Sequence, residues 1–151
     1  MLKVAPKTLS YVFSVVDGAK AVAQVEILSW RRDRSELRMH DDIYTAYRDK
    51  SCYVLESTQG VLVRAERQRR WSRRLVIEHS GRAYTLCAKS AFHRQLMLLD
   101  GSTQVGCIAP KGIFTGKAAA EFPHGFPLFL QVFIIWLAMT LWKYEDSAAA
   151  Y

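Results

Sequence analysis

From residue 8 onward the chain alternates apolar and polar positions in short runs, and turn residues separate the runs. Such alternation marks half-buried strands, whose successive side chains face opposite sides of a sheet. Tyr11-Val12-Phe13-Ser14-Val15-Val16 meets Asp17-Gly18 and resumes from Ala21 to Leu28. Val54-Leu55-Glu56 meets Thr58-Gln59-Gly60, then Val61-Leu62-Val63; Leu75-Val76-Ile77-Glu78 meets His79-Ser80-Gly81, then Ala83-Tyr84-Thr85-Leu86. Leu96 to Leu99 meets Asp100-Gly101, then Gln104 to Ile108. Asp-Gly between apolar runs is a strong hairpin signal, because glycine accepts the positive φ that tight hairpin turns need. Leu55, Leu75 and Leu96 open equivalent strands 20 and 21 residues apart, with Leu37 and Asp41-Asp42 as a weaker earlier copy. A fixed period signals one unit used repeatedly. Here the unit is strand, tight turn, strand, longer connection, and five of them predict about ten strands over residues 8–122. An ordinary sandwich explains the turns but not their regular spacing.

The last quarter changes character. Phe126 to Trp142 carries no charge and is apolar on every side when drawn as a helix. A helix of that kind is buried, in lipid or in protein. Its seventeen residues span roughly 26 Å, just under a hydrocarbon thickness of roughly 30 Å. Pro127 suits an early helical position, and Lys143, Glu145 and Asp146 end the apolar run. In a tail anchor, Trp136 lies well inside the bilayer and Gln131 faces lipid, both unfavourable placements.

Ten strands left as an open sheet expose two edges and an apolar face, and closure removes both problems. A barrel that wide is not filled by strand side chains alone. The apolar helix is long enough to run through it. The expected fold is therefore mainly β: an antiparallel meander closed or nearly closed into a barrel of about 10–12 strands around a buried hydrophobic C-terminal helix. It forms a single domain over 1–151, with the meander at 8–122, the helix at 126–143 and a flexible tail at 144–151. Trp136, Phe133, Leu137 and Ile134 are expected among its most buried side chains.

This arrangement resembles the tubby C-terminal-like barrels, which include tubby, the phospholipid scramblases and the LURP-one-related proteins. The resemblance covers residues 8 to 144 and rests on the Leu99-Asp100-Gly101 turn, the Val105-Gly106-Cys107-Ile108 strand and the Phe126–Trp142 helix. The chain is short for that family. The resemblance implies a plug helix rather than a membrane span, and phosphoinositide binding through basic residues whose positions it does not place here.

At 151 residues and 50% hydrophobic content, one domain with a proper core is expected. The first 25 residues do not read as a signal peptide. Cys52, Cys87 and Cys107 are far apart, form no CxxC pattern, and suit a reducing cytosol as small core or face residues. Localisation in the cytoplasm, with a peripheral membrane association, follows as the expectation.

The formal net charge is +7, and its placement matters more than its size. In a meander the tight turns share one end and the connections share the other. The tight-turn end carries Asp17, Asp41, Asp42 and Asp100. The connections 30–34, 47–50, 67–74, 89–94 and 111–117 hold fourteen of the 21 Lys and Arg residues, with Trp30, Tyr47, Trp71, Phe92 and Phe114 among them. The candidate anion-binding residues are Arg31, Arg32, Arg34, Arg67, Arg69, Arg70, Trp71, Arg73, Arg74, Lys89, Arg94 and Lys111. The five arginines from Arg67 to Arg74 repel one another unless an anion or acidic neighbours relieve them. Near an anionic membrane each such cation contributes about 1 kcal/mol, and aromatic rings settle at headgroup depth. Nucleic acid uses the same groups through counterion release and stacking; a solubilising surface or a protein partner is the plainer alternative.

Catalysis has no foothold in the sequence. His40, His79, His93 and His124 lie on separate elements, His40-Asp41-Asp42 reads as turn chemistry, and no GxSxG, P-loop or GxGxxG occurs. The expectation is a non-enzymatic binding module without cofactor or metal. It docks a basic rim on anionic lipid headgroups or another phosphate-bearing ligand. The alternatives are a tail-anchored protein whose β domain binds a protein partner, and a nucleic-acid-binding barrel.

Overall fold

The computed structural model describes residues 1–6, 11–29, 31–69, 74–89, 94–111 and 117–149, with side chains of the C-terminal helix through Lys143. Among the described residues twelve strands appear: β1 (Leu2–Pro6), β2 (Val12–Asp17), β3 (Lys20–Ser29), β4 (Arg34–Met39), β5 (Asp42–Asp49) and β6 (Cys52–Ser57). They continue as β7 (Gly60–Arg67), β8 (Leu75–His79), β9 (Arg82–Ala88), β10 (Leu96–Asp100), β11 (Thr103–Lys111) and β12 (Lys117–Glu121). One helix follows, α1 (Leu128–Ala149). Each strand pairs with its sequence neighbour antiparallel, and β1 pairs with β12, so the barrel is closed.

The strands alternate as the pattern predicts. Ser35, Leu37 and Met39 of β4 and Leu75 and Ile77 of β8 point inward and are buried. Gly18 and Gly101 take φ of +62° in the β2–β3 and β10–β11 turns. His40 also takes positive φ, in the turn before Asp42, which accounts for His40-Asp41-Asp42 as turn chemistry.

α1 fills the interior. Val132 through Leu137 are at most 1% exposed, so every side of the helix is covered, and Trp136, Phe133, Leu137 and Ile134 are all in the core. Its rings meet wall residues from several strands: Tyr44 of β5, Tyr53 of β6 and His79 of β8. Among the described residues no helix is long and apolar enough to cross a membrane. Polar groups along α1 are answered internally: Trp136 Nε1 donates to Ser35 Oγ at 2.9 Å, and Gln131 Nε2 to the Phe126 carbonyl at 2.8 Å. The helix enters beside the tight turns and leaves beside the connections.

Several expectations need correction. The meander does not start at residue 8: β1 precedes it and closes the ring against β12, a pairing between chain ends that no local pattern reveals. Helical backbone continues through Ala149, where a tail was expected, and begins at Leu128 rather than at Phe126. The 47–50 segment is not a long connection. Asp49 pairs with Cys52, so only Lys50 and Ser51 form the turn, and Lys50 takes φ of +59°. Leu75 and Leu96 open their strands, whereas Leu55 is the fourth residue of β6.

The 20-residue period conceals a longer one. In the β2–β3, β6–β7 and β10–β11 hairpins the register skips one residue on the second strand: Val22, Leu62 and Val105 respectively. The β4–β5 and β8–β9 hairpins have no such bulge. The repeating unit is therefore four strands: β2–β5, β6–β9, and β10–β12 completed by β1. Equivalent pairs run throughout, such as Val15–Ala23, Leu55–Val63 and Leu98–Gly106, or Ser35–Ala46, Leu75–Leu86 and Ala118–Val4. The barrel has pseudo-threefold symmetry, and the single helix inside breaks it.

Gly106 occupies the place of Ala23 and Val63, but a Cβ there meets the Glu121 carbonyl oxygen at 2.5 Å. We expect Gly106→Ala to lower stability by about 1–3 kcal/mol, the range for overpacking against a wall that cannot yield. Urea denaturation reads the change, and an unchanged midpoint contradicts it.

Candidate functional site

The connections gather at one end, where α1 emerges. Arg31 and Arg32 lie exposed in the β3–β4 turn, with the Arg32 amide donating to Ser29 Oγ at 3.2 Å. Arg34 opens β4 with its guanidinium 5.7 Å from the centre of the Tyr47 ring. Arg67 and Lys111 close β7 and β11, while Arg69, Arg74, Lys89 and Arg94 follow or precede strand ends at this same rim. Backbone bonds from Gln68 to Arg74 and from Lys89 to Gln95 tie the bases of two connections. Arg70, Trp71 and Arg73 lie outside the described residues.

Two of these cations, Arg67 and Arg69, converge with two others. Arg48, Lys50, Arg67 and Arg69 line a cleft of about 710 Å³, together with Ser51, Tyr53 and Gln68. Arg67 and Arg69 were among the sequence candidates; Arg31, Arg32, Arg34, Arg74, Lys89, Arg94 and Lys111 do not line this cleft. Arg48 and Lys50 were counted in the basic rim but not among the site residues. Tyr53 was missed, because it reads as an inward strand residue. It is buried and its ring packs edge-on against Trp136 at 5.9 Å, yet its hydroxyl accepts from Arg67 Nη2 at 3.3 Å.

Beneath the rim sits Asp33, whose side chain is only 1% exposed. Lys143 Nζ donates to Oδ1 at 2.6 Å and Arg48 Nε to Oδ2 at 2.9 Å. A buried carboxylate is tolerable when both oxygens meet cations in good geometry. Asp33 thus latches the emerging helix to the wall and orients Arg48. A second tie is Trp142 Nε1 to the Arg94 carbonyl at 2.7 Å. Burial, then the nearby Glu56 and Asp49 carboxylates, raise the Tyr47 phenol above its ordinary range, so it stays neutral beside the cations.

The threefold relation shows which of these charges the barrel itself requires. The positions equivalent to Arg48 are Ala88 and Pro6; to Tyr53, Leu96 and Phe13; to Arg67, Pro110 and Ile27. At these three positions the other two joints carry neutral, largely apolar residues, and the strands still pair. The charges of Arg48 and Arg67 are therefore additions to the fold. Cations crowded in one open cleft, with a hydroxyl at its floor, suit an oxyanion carrying more than one charge. Among the described residues no group of three or more His, Cys, Asp and Glu could hold a metal ion.

A closed twelve-stranded antiparallel barrel with a C-terminal helix is compatible with a tubby-like barrel, and the comparisons add no relative: no known family, no curated protein and no solved structure matches the chain.

Proposed function

We propose that this chain is a non-enzymatic binding module of the tubby-like kind. It docks the basic end of its barrel on phosphate-bearing anionic lipid headgroups, as a peripheral protein on the cytoplasmic side of a membrane. The observation that carries this reading is the cleft of Arg48, Lys50, Arg67 and Arg69, in which Arg48 and Arg67 have neutral counterparts at both equivalent joints. A lipid surface rather than a free phosphate is favoured by Tyr11 and Leu28. They are 53% and 48% exposed at this same end, where an apolar side chain gains by entering the headgroup region.

The test is co-sedimentation with phosphoinositide-containing and neutral vesicles, comparing the wild type with Lys50→Ala/Arg67→Ala/Arg69→Ala. Arg48 is left intact because it holds Asp33. At about 1 kcal/mol for each cation near the surface, the variant is expected to bind anionic vesicles about 100-fold more weakly. Raised salt weakens the wild type in the same direction. Equal sedimentation of variant and wild type at low salt removes the lipid reading.

A further inference from the structure

The opposite end of the barrel carries a second irregularity. At the tight-turn mouth, His79 ends β8 and pairs with Arg82, as Met39 ends β4 and pairs with Asp42. In the third unit the equivalent residue is Phe122, which follows β12. Two of three equivalent positions are thus apolar and the third is histidine. His79 packs edge-on to the Phe129 ring at 5.4 Å, and its Nδ1 is buried with no hydrogen-bond partner among the described residues. A buried polar atom left without a partner is unfavourable. Met39 shows that the fold manages at the equivalent place without one.

His79 lines a cavity of about 410 Å³ at this mouth. Its floor is apolar and aromatic: Tyr84 meets Phe126 edge-on at 5.0 Å, and Leu130 lies beside them. Its edge is polar, with Arg82 and the exposed His124. The Arg82 guanidinium lies 5.6 Å from the centre of the Tyr84 ring and 3.1 Å from Asp100. Both partners of that ion pair are largely exposed, 67% and 44%, so solvent screens it and an incoming carboxylate can share the guanidinium. The N-terminal end of α1 adjoins the cavity and adds to the preference for negative charge.

We propose that this mouth is a binding site for a small aromatic carboxylate. Its ring lies on Tyr84, Phe126 and Leu130, its carboxylate meets Arg82 and His124, and its polar edge pairs with His79. The volume suits a ligand of one or two rings. This site is separate from the basic cleft and does not depend on it.

The probe is 6-hydroxy-1-naphthoate, whose hydroxyl supplies the polar edge, titrated by calorimetry against the full chain, with its 1-hydroxymethyl analogue as the uncharged arm. The wild type is expected to bind naphthoate saturably and the alcohol more weakly. His79→Met installs the residue of the equivalent position. It is expected to keep or raise the thermal midpoint while weakening naphthoate by about tenfold or more. Arg82→Ala is expected to weaken naphthoate and leave the alcohol unchanged. A lowered midpoint in His79→Met makes the histidine structural and overturns the proposal. So does naphthoate binding unaltered by either substitution, or no saturable binding by the wild type up to the solubility of the probe.

Discussion

A chain ended at Gly125 is expected not to form the barrel. The interior faces of the strands are lined by Val15, Val25, Leu37, Leu55, Leu75, Ile77, Leu86, Leu98 and Ile108, all fully buried against one another and α1. Twelve strands enclose more space than these side chains fill. Without the helix the cylinder either stays empty, losing contacts on its whole inner surface, or collapses and breaks its pairing. Phe133, Ile134, Ile135, Trp136 and Leu137 are all at most 1% exposed. At about 1.5–3 kcal/mol for each large buried side chain, these five alone contribute on the order of 8–15 kcal/mol. That is an upper figure, since unfolded chains already bury some surface. It still equals the whole net stability of an ordinary domain, about 5–15 kcal/mol. The truncated chain should aggregate, or remain in solution without near-UV circular dichroism. A soluble, cooperatively unfolding 1–125 fragment overturns the plug architecture.

Trp136→Ala is expected to destabilise the protein by about 3–5 kcal/mol, the range for truncating a large aromatic in a packed interior. Trp136 touches three different supports: Ser35 through its Nε1 at 2.9 Å, Tyr53 edge-on at 5.9 Å and Phe133 stacked at 5.7 Å. Trp136→Phe separates volume from hydrogen bonding. It keeps most of the packing but leaves the Ser35 hydroxyl buried without its donor, for a loss of about 1–3 kcal/mol. The equivalents of Ser35 are Leu75 and Ala118, so the wall accepts an apolar residue there. Adding Ser35→Ala to Trp136→Phe should therefore recover part of the loss, an interaction that a double-mutant cycle measures directly. Denaturant midpoints at constant slope are the readout. Additive effects in the cycle mean that the bond does not lock the helix.

Local rules accounted for much of the architecture. The alternation in Val12–Val16 or Leu75–Glu78 is a property of adjacent residues, as is the positive φ demanded at Gly18 and Gly101. Both were legible. The two-residue Lys50-Ser51 turn was not, because Lys50 takes a positive φ that its side chain does not advertise. The four-strand unit was hidden as well. A bulge at Val22, Leu62 and Val105 shows only when partners across the hairpin are known, and the apolar residue bulged out looks like its neighbours.

The candidate site divides in the same way. A basic end followed from the meander, since connections must alternate with tight turns. Which cations meet did not follow. Arg48 and Arg67 stand on strands β5 and β7, brought to either side of β6 by pairing. Asp33 and Lys143 are 110 positions apart and are joined only because the helix runs the full length of the barrel.

Alternation, turn chemistry and a helix apolar on all sides were enough to dictate hairpins, closure and a filled interior, because each is decided by neighbouring residues or by the need to bury what they expose. Ring closure through β1, the helix rotation set by Ser35 and Asp33, and the grouping of four cations into one cleft arose from contacts between distant segments. Those contacts depend on register and on which side chain faces which partner, and neither is written in any short stretch of chain.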